Sequence, residues 1–342
     1  MDFSVPHPGH IEALREICKK GVYEVYREGL PDYIGTGRVA LGVVQDFENI
    51  REQASLAHRY GVKLNIVLNS PCLSGNHLTR EGEKRYHNYF AQLEDAKVDG
   101  ITVAEPYLIK LCDREFDMDI TASCLAFVDS AERARFFEEI GTDTIAIDPN
   151  INRNFHVLEM IRDAVSCKLK ILLNQGCLIG CPLRYSQFNL ISHTNGPDQV
   201  KAQEYYHHKC TTMRIHDTEL MIKSDWIRPE DLGEYEAVGI DIFKLCGRMH
   251  PINWILECLD AYSSRRYDGN IFEIIDFYRE IKHAYYLSNR ELDHAIDVWK
   301  HCDGMCERCG FCKKLSERIQ VFTEKGTERE GLVMFPAYTS VE

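Results

Sequence analysis

Short apolar runs alternate along this chain with longer stretches in which apolar residues recur every three or four positions. The runs Phe3–Pro6, Val22–Tyr26, Leu64–Leu68, Ile101–Ala104, Ile120–Ser123, Thr144–Ile147, Lys170–Leu173 and Asp241–Leu245 predict eight strands. Between them, Ile11–Lys20, Asn49–Tyr60, Glu83–Ala96, Ser130–Ile140 and His156–Val165 each present one apolar face and predict helices. A strand that is apolar throughout needs cover on both sides, and a helix after each strand supplies it, so the pattern implies a parallel sheet. Eight such units allow closure. The expected fold is α/β, a (β/α)8 TIM-like barrel, with an open doubly wound sheet as the alternative topology. The expected division is a barrel over residues 1–260 and a small helical, cysteine-rich subdomain over 261–342. In a barrel, the residues that follow each strand gather on one rim, where active sites of this architecture lie.

The segment Gln187–His208 is polar and aromatic, with turn residues at Ser192–Pro197, and leads into His207-His-Lys-Cys210. It reads as an insertion in the last strand-to-helix connection, long enough to fold Cys210 over the rim. In Ile227-Arg-Pro-Glu-Asp231, Pro229 falls in the first turn of a helix leading to the eighth strand. Beyond Pro251 the pattern predicts three more helices, Ile252–Tyr262, Ile271–Leu287 and Glu291–His301.

Composition narrows the function classes. Of 342 residues, 44% are hydrophobic and 27% charged, and no apolar run has the length needed to cross a bilayer, so no membrane association is expected. Met1–Pro8 has neither a basic n-region nor an apolar h-region, which predicts no secretory signal and a cytoplasmic protein. A formal net charge of −13 works against binding to a nucleic-acid backbone, leaving only a local basic patch for RNA. Fourteen cysteines in a reducing compartment point to metal ligation rather than to a disulfide framework.

Two groups of cysteines stand out. Cys177 and Cys181 occupy a Gly-rich turn where the seventh strand gives out, and Cys246 ends the eighth. With Cys210 folded back, four sulfurs meet on the rim and can hold a metal. The second group, Cys302, Cys306, Cys309 and Cys312, packs four thiols into eleven residues. A zinc site usually takes ligands from two separated knuckles, whereas one winding loop can reach the corners of a cubane. The spacing therefore favours a [4Fe–4S] cluster, with zinc as the alternative at Cys302–Cys312. Cys18, Cys72, Cys112, Cys124, Cys167 and Cys258 read as core or loop residues, Cys72 and Cys124 being the two that follow strand ends.

Around the rim, strand ends supply Glu105, Asp148, Asn150, Asn174, Lys223 and Arg248, and the insertion adds Arg184 and His193. Carboxylates and an imidazole can move protons, while Arg184 and Arg248 can clamp a carboxylate through bidentate contacts. Plainer roles compete: Glu105 before Pro106 as a helix cap, His193 as a solvated loop residue, Arg248 as a donor to a ligand sulfur. Neither H-E-x-x-H nor G-x-S-x-G occurs, so a hydrolytic metal or serine nucleophile has no motif here.

The Phe3–Pro6 strand, the Asn174-Gln-Gly-Cys177…Cys181-Pro turn, the Ile227–Asp231 segment and above all Gly239-Ile-Asp-Ile-Phe-Lys-Leu-Cys-Gly-Arg-Met249 resemble the collagenase-like peptidase family U32 over about residues 1–260. Despite its name, the family's resemblance implies oxygen-independent hydroxylases that hold a [4Fe–4S] cluster on four cysteines. They act on a ubiquinone ring or on RNA bases with a prephenate-like oxygen donor. By position, the resemblance makes Cys177, Cys181, Cys210 and Cys246 the ligands of such a cluster. The chain departs from its relatives at Cys246, where Glu is common, in the closer spacing of its first cysteines, and in the added 302–312 group. The implied function is an iron–sulfur redox enzyme modifying a small-molecule, carrier-bound or RNA substrate. The alternatives are a peptidase and a non-catalytic electron-transfer or redox-sensing protein. Two clusters imply a relay in which the 302–312 group takes electrons from a donor protein or reductant. Exposed helices after residue 251 are a place for a homologous subunit or a second copy of the chain.

Overall fold

The structure, a computed structural model, describes residues 1–30, 46–194 and 205–322. Eight parallel strands close into a barrel: β1 (Asp2–Pro6), β2 (Glu24–Glu28), β3 (Lys63–Leu68), β4 (Gly100–Val103), β5 (Asp119–Ala122), β6 (Thr144–Ala146), β7 (Lys168–Leu172) and β8 (Ile242–Lys244). β8 returns to β1 through the pairs Asp2↔Ile242, Phe3↔Phe243 and Ser4↔Lys244, so the barrel sheet has no open edge. All eight expected runs coincide with strands, and the doubly wound alternative is excluded by the β1–β8 pairing. The ends differ by at most two residues. Ala104, Ile147, Leu173 and Leu245 are buried just beyond their strands, so their apolar character belongs to the first residues of the rim loops.

The inside of the barrel is polar at its centre. Ser4 Oγ and Lys170 Nζ both donate to Glu24 Oε1, at 2.5 and 2.6 Å, and Thr102 Oγ1 donates to Asn65 Oδ1 at 2.6 Å. Lys244 Nζ stands 3.9 Å from the centre of the Tyr26 ring, whose hydroxyl donates to the Leu245 carbonyl. Outside, helices pack their apolar faces on the strands, and local chemistry starts them: Thr79, Ser130 and Asn154 accept from backbone N–H groups in the first turns of the helices Arg80–Asp95, Ala131–Glu139 and Phe155–Ala164.

Three expectations need correction. The polar segment after Cys181 begins with a helix, Arg184–Thr194, and Cys210 lies on another, Tyr205–His216, rather than in a loop; the Ser192–Pro197 turn falls partly outside the described residues. The single helix expected over Ile271–Leu287 is broken into Ile271–Ile274 and Arg279–Ala284, followed by Tyr285–Tyr286, which pairs with Gln320–Val321. Tertiary contacts win there: the Asp276 N–H donates to the Asn174 carbonyl at 2.7 Å and its carboxylate meets His250 Nε2 at 2.9 Å, drawing the backbone out of helix. The helix expected over Glu291–His301 begins only at Ala295. Arg228 takes the Leu292 carbonyl and the Asp293 carboxylate, at 2.6 and 2.8 Å, and His294 turns through a φ of 66°.

Ile271, Ile274, Leu287, Trp299 and Leu315 join the same continuous apolar core as the barrel strands and helices. Among the described residues no helix is long and apolar enough to cross a membrane.

Candidate active site

The rim is built around the turn that follows β7. Asn174 clips three elements together: its Oδ1 accepts the Cys246 N–H at 2.7 Å, and its Nδ2 donates to the Ile274 carbonyl at 3.0 Å. Gly176 is required by space, because a Cβ there would lie 2.4 Å from the Phe277 ring. The next residues are held by backbone pairing with the segment 223–225. Cys177 N–H donates to Asp225 Oδ1 at 3.0 Å, Asp225 N–H donates to the Cys177 carbonyl at 2.8 Å, and Ile179 N–H donates to the Lys223 carbonyl at 3.1 Å. Gly180 N–H donates to Asn150 Oδ1 at 3.0 Å, which gives Asn150 a positioning role.

Cys210 is brought to this turn by Arg214, one helical turn further on. Arg214 Nη1 contacts Cys210 Sγ, and its Nη2 donates to the Gly176 carbonyl at 2.6 Å and to Ser224 Oγ at 3.3 Å. Burial and the neighbouring Cys181 raise the Cys210 thiol above its ordinary pKa, against the pull of Arg214. Cys246 is buried two residues beyond β8, joined to the Cys177 turn through Asn174. Gly247 beside it has a φ of 103°, and a Cβ there would lie 2.2 Å from the Trp254 ring. Gly247→Ala is therefore expected to destabilise the chain by about 1–3 kcal/mol through backbone strain and overpacking, read as a lower urea midpoint. An unchanged midpoint would show that the loop between Cys246 and Arg248 yields freely.

The charged residues expected to act on substrate are engaged with one another. Arg184 Nη1 lies 3.0 Å from Asp148 Oδ1, with both side chains 2% exposed. Arg248 Nη1 lies 3.2 Å from Glu28 Oε2, also buried. Asp148 Oδ1 further accepts the Asn150 N–H at 2.9 Å. Glu105 caps the helix Pro106–Glu115 by accepting the Leu108 N–H at 3.0 Å, and its other oxygen is 3.4 Å from His77 Nε2. His193 is on the last turn of the helix Arg184–Thr194. Lys223 is not at a strand end. It follows the short helix Glu219–Ile222, and its ammonium lies 2.8 Å from Glu219 and against Cys306, which turns it toward the C-terminal cysteines.

Sequence reasoning missed Asp225, Arg214, Glu28 and Lys244. Burial pushes the Asp225 carboxyl up to about 7, against the charges of Arg184 and Arg214 and the Cys177 N–H, and its Oδ2 is buried with no hydrogen-bond partner. Burial, with Lys170 nearby, brings Lys244 down to about 8, against Cys124, Glu24 and Cys246. Lys244 opens the Lys-x-x-Gly-Arg-Met stretch and was findable there; Asp225 and Arg214 carry no local signal.

All fourteen cysteines are unbridged. Cys302, Cys306, Cys309 and Cys312 line one cavity of about 310 Å³ beside the barrel. Among the described residues, no three His, Cys, Asp or Glu side chains converge closely enough to hold a single metal ion.

The pattern of peptidase family U32 matches residues 9–268. The chain belongs to this family. A relative named "Uncharacterized protease MJ1657", from Methanocaldococcus jannaschii, is 42% identical over 329 residues, covering 92% of this chain and 98% of the relative. The solved structure of the U32 peptidase Mk0906 superposes with a TM-score of 0.55 at 22% identity, over 72% of this chain and 93% of that one, and shares the fold. The U32 match spans β2 to β8 and the rim cysteines, and the 302–312 group lies beyond it.

Proposed function

We propose that this U32 protein is an iron–sulfur redox enzyme whose rim cysteines, Cys177, Cys181, Cys210 and Cys246, hold a [4Fe–4S] cluster. The reaction proposed is an oxygen-independent hydroxylation or related modification of a small-molecule, carrier-bound or RNA substrate. The observation that supports it most is the meeting of Arg214 with Cys210 next to Cys181 and the Cys177 turn, inside a ring of buried charge. Thiolates gathered in a largely half-buried site are stabilised by cations, and Arg214 and Arg184 supply them. Bound there, the cluster supplies one-electron chemistry fed by a donor protein or reductant. The chain's own residues do the rest. Asn174 and Arg214 hold the cysteine-bearing segments in register. Asp225 holds a proton on its carboxyl up to about pH 7 beside the Cys177 turn. Arg184 and Arg248 fix Asp148 and Glu28 as oriented carboxylates facing the rim.

A second reading, peptide hydrolysis, is favoured by the name of the relative from Methanocaldococcus jannaschii. One experiment separates the two: anaerobic purification, iron and sulfide counted per chain, and peptide cleavage assayed before and after iron is stripped. The redox reading expects bound iron and sulfide that fall by about four each in Cys177→Ser/Cys181→Ser, with no peptide cleavage. Cleavage that survives iron removal would establish the peptidase instead.

A further inference from the structure

The C-terminal cysteines form a pocket of their own. Gly304 and Gly310 take left-handed φ values of 74° and 62°, which turn the backbone on either side of the single helical turn Cys306–Cys309. All four cysteines thereby line one cavity of about 310 Å³, whose wall also holds Trp299 and Phe311 together with Glu219, Asp297, His301 and Asp303. The loop is fixed to the barrel: its helix Phe311–Ser316 packs on Glu219–Ile222, and Trp299 meets Trp226 edge to face at 5.5 Å.

Behind the cavity wall lies Arg153, 5% exposed, with its guanidinium carbon 3.9 Å from the centre of the Trp299 ring. Its Nε and Nη2 are buried with no hydrogen-bond partner, and Cys312, Tyr235, Cys302 and Asp225 are the acidic groups within its electrostatic reach. Trp299 Nε1 is a third buried donor; it lies near Cys312 without completing a hydrogen bond. Lys223 adds a second cation beside Cys306, its ammonium 2.8 Å from Glu219. A buried guanidinium beside neutral thiols is costly. Beside four thiolates on an inorganic core it is a counter-charge.

We propose that Cys302, Cys306, Cys309 and Cys312 hold a second iron–sulfur cluster, with Arg153 and Lys223 as its counter-charges and Trp299 Nε1 as a donor to its sulfur. Four cysteines lining one cavity of this size suit a polynuclear group better than a lone zinc ion. Each thiol gives up its proton on ligation, and the net negative group takes the place of the missing partner of Arg153. Hydrogen bonds and positive charge near cluster sulfur favour the reduced state. Arg153 and Lys223 are positioning residues in this sense. None of the four ligands is a rim cysteine, so the rim assignment can fail without this one.

The test is anaerobic reconstitution of the full chain with ferrous iron and sulfide, followed by metal analysis and a redox titration read by electron paramagnetic resonance. The wild type is expected to bind roughly eight irons, and Cys306→Ser/Cys309→Ser and Cys177→Ser/Cys181→Ser about four each. Iron unchanged in the C-terminal pair, or zinc bound in its place, overturns this proposal and leaves the rim reading standing. Iron lost only in the C-terminal pair supports this proposal and removes the rim reading. Arg153→Gln is expected to keep its iron but shift the C-terminal couple about tenfold toward the oxidised form, ~59 mV for one electron, with Arg153→Lys restoring part of the shift. Trp299→Phe, which removes one donor and keeps the ring, is expected to shift it in the same direction and serves where Arg153→Gln does not fold. A C-terminal couple unmoved in every folded variant overturns the role given to the donors.

Discussion

Lys170→Met is expected to destabilise the barrel by about 3–5 kcal/mol, because it strands a carboxylate in the barrel interior. Glu24 is 7% exposed at its side chain and Lys170 1%, with Nζ and Oε1 2.6 Å apart, and Ser4 Oγ donates to the same oxygen. Burial alone would raise the Glu24 carboxyl, but the charge and hydrogen bond of Lys170, with Ser4, hold it below its ordinary range. The sign of the pH effect follows. A carboxyl depressed in the folded state contributes stability that is complete above its unfolded value, about 4.3, and is lost as pH falls through the folded value. In Lys170→Met that contribution is gone and burial dominates, so the gap between variant and wild type should narrow below about pH 4.3 as Glu24 takes up a proton. Glu24→Leu/Lys170→Met should recover most of the loss, since an apolar pair of similar volume removes both desolvation costs. Urea titrations between neutral and acid pH read all three. A loss below about 1 kcal/mol in Lys170→Met at neutral pH would mean that water reaches the barrel interior and screens the pair.

Arg184→Met is expected to cost a similar amount, about 3–5 kcal/mol, and to act on the rim as well as on the fold. Its ion pair with Asp148 is 98% shielded on both sides, being 2% exposed. Burial works against the Arg184 charge, yet Asp148, Cys177, Asp225 and Cys124 together hold it above its ordinary range. Removing it leaves Asp148 uncompensated at the end of β6 and takes a cation from beside Cys177 and Asp225. Arg184→Met/Asp148→Asn should regain most of the stability, because Asn keeps an oxygen for the Asn150 N–H without a charge. It should not regain the iron proposed at Cys177 and Cys181, which lack the missing cation whatever stands at 148. Full iron in the double variant would show that Arg184 serves the fold alone. Because one guanidinium serves Asp148, Cys177 and Asp225 together and a lysine ammonium is a single point charge, Arg184→Lys is expected to fall short in both measurements.

Much of the fold was legible because burial on both faces makes each strand a short apolar run, and one-sided burial gives each helix its repeat. Even the rim position of Cys177, Cys181 and Cys246 could be read, since it depends only on where β7 and β8 stop. The errors came where distant groups compete with local preference. Nothing within Ile271–Leu287 announces that Asp276 is taken by Asn174 and His250, and nothing within Glu291–His301 announces Arg228. Lys223 looked like a rim residue until the C-terminal loop was seen packed against Glu219–Ile222.

By itself the amino-acid sequence determined the barrel, the U32 resemblance and the two groups of thiols, because period, motif and spacing are properties of neighbouring residues. Only the tertiary structure decided which charges stand beside those thiols. Arg214 at Gly176, Arg153 behind Trp299 and Asp225 under Cys177 come from separate stretches of chain. The cost of burying each charge depends on what faces it across space, and that is settled only when the chain has closed on itself.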